Sequence, residues 1–336
     1  MISLISILSA CSSKNDTTTI FENYLYRLAN SLEVQQAAVN EQVFLRNLPR
    51  FPKRRDLTHS VVNEQINLLE FLRLSSCDLQ RHIGQRNSVL GRVMKSSQQL
   101  IYEYQFIELA EDCLQQLSES SQLSVVLDDT LRKKQKNLIK VQWNAAFSSE
   151  EMQTTFSQSE LLLSRKELSK NPNELISAFE RLSDFTQDTT ISSQKIEEAY
   201  AVLASSHYLG QLRLTIAMAT TYLTAGDSLL ESRLGERPLC IQQRANPKFE
   251  ILDRVFMKFY IGETQPMIAQ LHQRAKILFA AVDELQALLK PTVTFQRYWE
   301  KVYTGETSEW NRFNLAIAKH TKNWQSLLSQ CGRLPQ

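Results

Sequence analysis

The residues in this chain best suited to chemistry are its five cysteines, Cys11, Cys77, Cys113, Cys240 and Cys331. Cys11 closes the run Leu8-Ser9-Ala10-Cys11, directly after the short apolar stretch from Ile2 to Leu8. An apolar segment too short to span a bilayer, small residues at a cut site and then cysteine form a bacterial lipoprotein signal. The chemistry expected is attachment of a diacylglycerol to the Cys11 thiol, followed by cleavage that leaves Cys11 as a lipidated N-terminus. Several acyl chains together hold a protein at a bilayer where one does not. Ser12 stands where an aspartate favours retention in the inner membrane, so the address read here is the inner leaflet of the outer membrane, facing the periplasm. The one departure from such a signal is that no Lys or Arg precedes the apolar stretch.

With Cys11 lipidated, four cysteines remain, an even number in an oxidising compartment. Four allow three pairings, and the chain-local one is Cys77–Cys113 with Cys240–Cys331. A simple helical hairpin turning near 87–93 would offset Cys77 from Cys113 by roughly 15 Å, beyond disulfide reach. That bridge therefore needs a break near 75–77 or a folded-back segment at 84–95, and buried free thiols are the alternative. No Cys-x-x-Cys occurs, so thioredoxin-type redox chemistry and a zinc ribbon are not indicated.

Other chemistry has no local signature. The eight glycines are spaced so that neither G-x-G-x-x-G nor G-x-S-x-G nor a P-loop can form. His59, His82, His207, His272 and His320 stand more than five positions apart, which removes helical zinc spacings. No catalytic residue, metal or cofactor is therefore assigned, although ligands distant in sequence can converge. Asp78 and His82, at i,i+4, read as a surface or capping pair. His207 reads as a satisfied core histidine beside Tyr200 and Gly210. Trp299, Trp310 and Trp324, with Tyr298, Tyr303 and Phe313, read as core or as the wall of an apolar cleft.

The elements that must position these groups are helical. Eight glycines and eight prolines in 336 residues are well under the usual share of turn formers, too few for a many-stranded barrel or sandwich. The expected fold is all-α, an elongated multi-helix bundle with long antiparallel helices. Residues 1–11 are the signal, 12–19 a polar tether, and 20–336 one helical domain, with a subdivision near 165–190 also compatible. Phe21, Leu25, Leu28 and Leu32 mark the first helix, and 35–60 a long basic loop. A helix from Ile66 is expected to break at Gly84–Gly91. Further helices follow over 100–117, 121–142, 149–163 and 173–186, and a long one over 193–232. A helix from Phe249 is expected to be interrupted at Gly262 and Pro266. Ile268, Leu271, Ala275, Leu278, Val282, Leu285 and Leu289 then keep a heptad seam. Helices over 292–303 and 307–330 close the chain. A net charge of +2 gives no reason to expect nucleic acid.

Two strings carry a family likeness. One is Arg86-Asn87-Ser88-Val89-Leu90-Gly91-Arg92-Val93 with Ser97–Glu103. The other is Phe256–Pro266 with the ending His320, Trp324, Leu327-Leu328, Cys331-Gly332. With Tyr24–Leu28 they make most of residues 20–335 resemble a family of predicted gammaproteobacterial lipoproteins that carry a domain of unknown function. The resemblance implies a lipidated envelope protein whose four later cysteines stand where the family's cysteines stand, and it brings no activity with it. The candidate functional surfaces are Arg86, Asn87 and Glu103 in the first string, and Tyr260, Glu263 and Gln265 in the second. Three readings follow. The leading one is a non-enzymatic helical interaction module, facing the periplasm, whose partner is another envelope protein. The second is a carrier or sensor of an apolar ligand, and the third a hydrolase whose site is assembled from distant residues.

Overall fold

The computed structural model describes residues 16–35, 38–39, 48–61, 68–87, 94–118, 121–187 and 192–333. Cys11, the signal segment and residues 88–93 lie outside them. Among the described residues every regular element is helical. The longer ones are α1 (Asp16–Leu32), α4 (Asp78–Asn87), α5 (Ser96–Gln116), α6 (Gln122–Phe147), α9 (Asn173–Gln187), α10 (Ser193–Ser205), α11 (Tyr208–Leu234), α12 (Pro247–Val255), α13 (Gln265–Leu288) and α15 (Glu309–Ser329). Short helices α2 (Arg54–Leu57), α3 (Leu68–Arg73), α7 (Glu150–Thr155), α8 (Arg165–Ser169) and α14 (Val293–Trp299) join them.

The first helix starts earlier than a tether over 12–19 allows. Thr17 and Thr18 are buried, and Thr17 Oγ1 donates to the Leu163 carbonyl at 2.6 Å. The Asp16 carboxylate accepts from the Arg165 amide at 3.1 Å. These bonds tie residues 16–19 into the folded body, and Phe21, Tyr24, Leu25 and Leu28 then bury the inner stripe of α1.

One large hydrophobic cluster holds α1, α9 to α15 and the C-terminal half of α6. The seam of α13 is buried along its whole length, from Ile268 to Leu285. Residues 165–187 belong to this cluster through Leu168, Leu175, Phe179, Leu182 and Phe185. A smaller cluster stands apart from it, built from Leu74, Leu79 and Ile83 against Tyr102, Phe106, Leu123, Leu127 and Leu131. There α5 and α6 pair antiparallel, with Gln142 Nε2 on Tyr104 Oη at one end and Gln135 on Glu111 further along.

Two expected boundaries moved, and a third gained a companion. α4 runs through Gly84 and ends at Asn87, inside the break expected over 84–91, and residues 74–77 add an earlier break between α3 and α4. That early break lets Cys77 meet Cys113, with Cα atoms 5.5 Å apart. The expected helix over 193–232 divides at Ser206 and His207, so His207 is an exposed residue ahead of α11 and not a core histidine. Nor is the chain interrupted at Gly262 and Pro266. Residues 256–264 form a π-helical segment that joins α12 to α13, with the Gln265 amide bonded to Tyr260 O. The wider π turn accommodates the ring and the missing N–H of Pro266, which would otherwise kink an α-helix. A second π segment, Glu300–Thr304, ends at Gly305, whose amide donates to Glu300 O at 2.9 Å. The basic segment expected as a loop carries α2 and is strapped down. Phe51 stacks on Phe156 at 4.5 Å, Trp143 Nε1 donates to Leu57 O, and Arg54 pairs with Glu150.

At the centre, α11 and α15 lie side by side and run the same way. Arg213 near the start of α11 meets Glu309 at the start of α15, and Asp227 meets His320 and Asn323 further along both. The Arg213–Glu309 contact is a buried two-pronged ion pair, Nε on Oε2 at 2.9 Å and Nη2 on Oε1 at 2.7 Å. Nη1 donates to Tyr298 Oη at 2.8 Å, and Nη2 also donates to Pro49 O at 2.9 Å. Burial works against the charge of Arg213, and the field of Tyr298 and Glu309 more than offsets it, so its pKa is raised. Removing one partner from such a pair strands a buried charge, at a cost of about 3–5 kcal/mol. Glu309→Gln is therefore expected to lose that much stability in urea unfolding. Arg213→Met with Glu309→Leu should recover most of it. A double variant no better than the single one would show that the pair does not act as a unit.

Candidate functional site

The polar residues of the central helices converge on a buried column. His320 Nδ1 donates to Asp227 Oδ1 at 2.8 Å, and Asn323 Nδ2 donates to the same oxygen at 3.1 Å. That assignment leaves His320 Nε2 to accept the Tyr24 hydroxyl at 2.6 Å. Tyr24 Oη in turn accepts from Trp324 Nε1 at 2.8 Å. Burial pushes the Tyr24 phenol well above its ordinary range; the Trp324 bond opposes this, while Tyr260 and Asp227 add to it. A carboxylate orienting an imidazole toward a hydroxyl is the geometry of an acid–base relay. Here the hydroxyl is a phenol held protonated, and Tyr24, Asp227 and His320 are all at most 2% exposed. The column fixes three helices to one another and exposes no nucleophile.

Gly226 is the condition for this arrangement. A Cβ there would stand 2.9 Å from His320 Cε1, and the ring is held at both nitrogens.

A cleft of about 610 Å³ opens next to the column. Phe256, Tyr260 and Trp324 form its floor, with Phe256 and Trp324 ring centroids 4.7 Å apart. Met257, Ile261 and Leu328 extend the apolar surface, while Gln265, Thr321, Gln325 and Arg333 supply polar groups. The π segment positions the floor: its wide turn sets Phe256 and Tyr260 toward α15, and Thr264 Oγ1 caps Phe259 O at 2.8 Å. Burial raises the Tyr260 phenol, opposed by its bond to the Thr321 side chain. The far wall is the turn after α15. Cys331 is bonded to Cys240 with Cα atoms 5.0 Å apart, Gly332 adopts φ +71°, and the Arg333 amide donates to Leu328 O. The Arg333 guanidinium pairs with Asp253.

Of the candidate residues from the sequence, Tyr260 and Gln265 line this cleft. Glu263 shares the π segment of Tyr260 and is half-buried, outside the cleft walls. Arg86, Asn87 and Glu103 belong to the smaller cluster, so the two candidate strings build different places. Arg86 lies over the Tyr102 ring at 5.8 Å, Asn87 is exposed at the end of α4, and Glu103 pairs with Lys134 at 2.7 Å. The Asp78–His82 pair does not form. Asp78 meets Arg81, whereas His82 stacks on Tyr102 and bonds its carbonyl at 3.0 Å. The tryptophans part as well. Trp324 floors the cleft, while Trp299 is buried with its indole N–H on Asp283, and Trp310 packs on His272. Sequence reasoning missed Asp227 and Arg333. The available signal for Asp227 was a Gly-Asp pair inside the most apolar helix, a charge that must find a buried partner.

A second hollow of similar size lies between α9 and α13, bordered by Glu180, Asp184, Lys276, Ile277 and Glu284. Among the described residues no group of three His, Cys, Asp or Glu side chains could hold a metal ion. No described helix is long and apolar enough to cross a membrane.

Two outcomes are expected. In Gly226→Ala, overpacking costs about 1–3 kcal/mol against about 1 kcal/mol regained in helix propensity. The melting temperature should fall, and a rise would mean that His320 is not rigidly held. The second concerns pH. Burial lowers the His82 pKa below 6.5, opposed by its bond to the Tyr102 carbonyl. The unfolded chain then binds that proton more tightly, so this contribution to stability is complete above about pH 6.5 and drains away as the pH falls through it. The urea midpoint should drop between pH 7.5 and 5.5, and less steeply in His82→Gln. Equal slopes would remove His82 as a source.

Comparison with known proteins gives one family. The model described as a protein of unknown function (DUF3080) matches residues 21–335. No curated protein and no solved structure matches the chain.

Proposed function

The chain belongs to that family of unknown function, and on this premise we propose that it is a lipid-anchored protein of the cell envelope that binds an apolar ligand in the α12–α15 cleft without transforming it. The observation that carries the reading is the cleft: about 610 Å³, floored by Phe256, Tyr260 and Trp324, within the 300–1,000 Å³ range of small-ligand sites. Its walls are preformed. The π segment sets one side and the Cys240–Cys331 bridge secures the other, so little ordering is needed on binding. Two disulfides fit an oxidising compartment, and the lipidation pattern at Cys11 supports the periplasmic face of the outer membrane. The polar column beside the cleft is sealed, which favours binding over hydrolysis.

A second reading, docking of another envelope protein, draws support from the hollow between α9 and α13. Its mixed charges surround the partly exposed Ile277, a composition suited to a protein rim.

The experiment takes protein extracted from membranes without reductant. Its intact mass should begin at Cys11, carry acyl groups and lack four hydrogens for two disulfides. N-Phenyl-1-naphthylamine should bind with quenching of tryptophan emission, and Met257→Asp should weaken binding at least tenfold. A mass from Met1 with free thiols would overturn the envelope reading. A probe that fails to bind would overturn the ligand reading.

A further inference from the structure

The charges around the cleft define the class of ligand. Gln265 and Gln325 offer uncharged donors and acceptors, Thr321, whose hydroxyl donates to Ile317 O, offers an acceptor, and Arg333 is the one charged side chain among the described residues of the lining. Its guanidinium is already paired with Asp253, a half-buried residue outside the cleft lining. A carboxylate or phosphate entering the cleft would meet a cation whose charge is already compensated by a carboxylate. An ammonium would meet the guanidinium first. Either would leave water for an apolar floor without a partner charge, and desolvating an unmatched ion is expensive. Hydroxyl and amide groups carry no such penalty, and glutamine side chains bond them in both directions. The apolar surface contributed by Met257, Ile261 and Leu328 is built from side chains without fixed planes, which suits a flexible chain. Met257 is 46% exposed and carries this apolar strip outward.

We propose that the cleft over Tyr260 and Trp324 takes a single-chain amphiphile with an uncharged, hydrogen-bonding head, its chain on the aromatic floor and its head among Gln265, Thr321 and Gln325. This rests on the ligand-binding reading above and specifies its chemistry.

The test uses the full chain carrying Cys11→Ser, purified with both disulfides intact. Three twelve-carbon ligands compete with N-phenyl-1-naphthylamine below their micelle concentrations: the glycerol monoester of dodecanoic acid, dodecanoate, and dodecyltrimethylammonium. The monoester should compete at least tenfold better than either ion. Gln265→Leu, at an exposed position, should weaken the monoester about three- to tenfold through the lost hydrogen bond and leave the ions unchanged. Dodecanoate competing as well as the monoester would overturn the proposal in favour of an anion site at Arg333. Dodecyltrimethylammonium competing as well would overturn it in favour of a nonselective apolar surface. If the naphthylamine binds and none of the three displaces it, the site does not take acyl chains. If the naphthylamine itself does not bind, the ligand reading falls together with this one.

Discussion

Two charges on one buried helix set the terms for everything else in this fold. Arg213 and Asp227 both lie on α11, both are at most 2% exposed, and neither can stay buried without partners. Each finds partners on α15: Glu309 for the arginine, His320 and Asn323 for the aspartate. Two fixed points on each helix determine the rotation, the register and the direction of the pair. Apolar packing alone would tolerate a slip of one turn; these bonds do not. The elements between α11 and α15 then have to carry the chain back so that the second helix can start beside the first. The strap at 48–61 completes the enclosure by giving Pro49 O to Arg213.

The two π segments belong to this return. Each follows an α-helix without a break in direction, and each turns its side chains by widening one stretch. The first brings Phe256 and Tyr260 against Trp324, and with them the floor of the cleft. The second leads through Gly305 to Ser308, whose hydroxyl caps α15 by accepting from the Asn311 amide. Glu309 thus sits in the first turn of α15, where the exposed amides of the helix end favour its negative charge. The cleft floor therefore depends on the first of these irregularities and the ion pair on the second.

Much of the architecture is legible in the chain because it rests on periodicity. The α13 seam, the α1 stripe and the last two helices follow from spacing alone, since burying an apolar stripe is a local requirement that the sequence displays. The breaks were harder to see. Proline and glycine at 262–266 signal an interruption to a reader who considers only α-helices, whereas a π turn absorbs the same residues in a continuous rod. The division at Ser206 and His207 carries no such punctuation. Half of the candidate site was visible: Tyr260 and Gln265 stood out in a recognisable string. The other half depends on residues about a hundred positions away in sequence, Asp227 with His320 and Asp253 with Arg333, and pairing at that range leaves no local pattern.

The hydrogen-bonded column also joins the two ends of the described chain. Tyr24 and its partners His320 and Trp324 are 296 and 300 residues apart. The first described helix is thus completed only by the last described one. Without α15 the Tyr24 hydroxyl loses both of its buried hydrogen-bond partners, and α11 loses the Glu309 carboxylate and the His320 imidazole. Closing such distant contacts makes folding late and cooperative rather than progressive. A fold closed in this way is disturbed alike by the loss of α1 or of α15, since each end holds the other's polar partners.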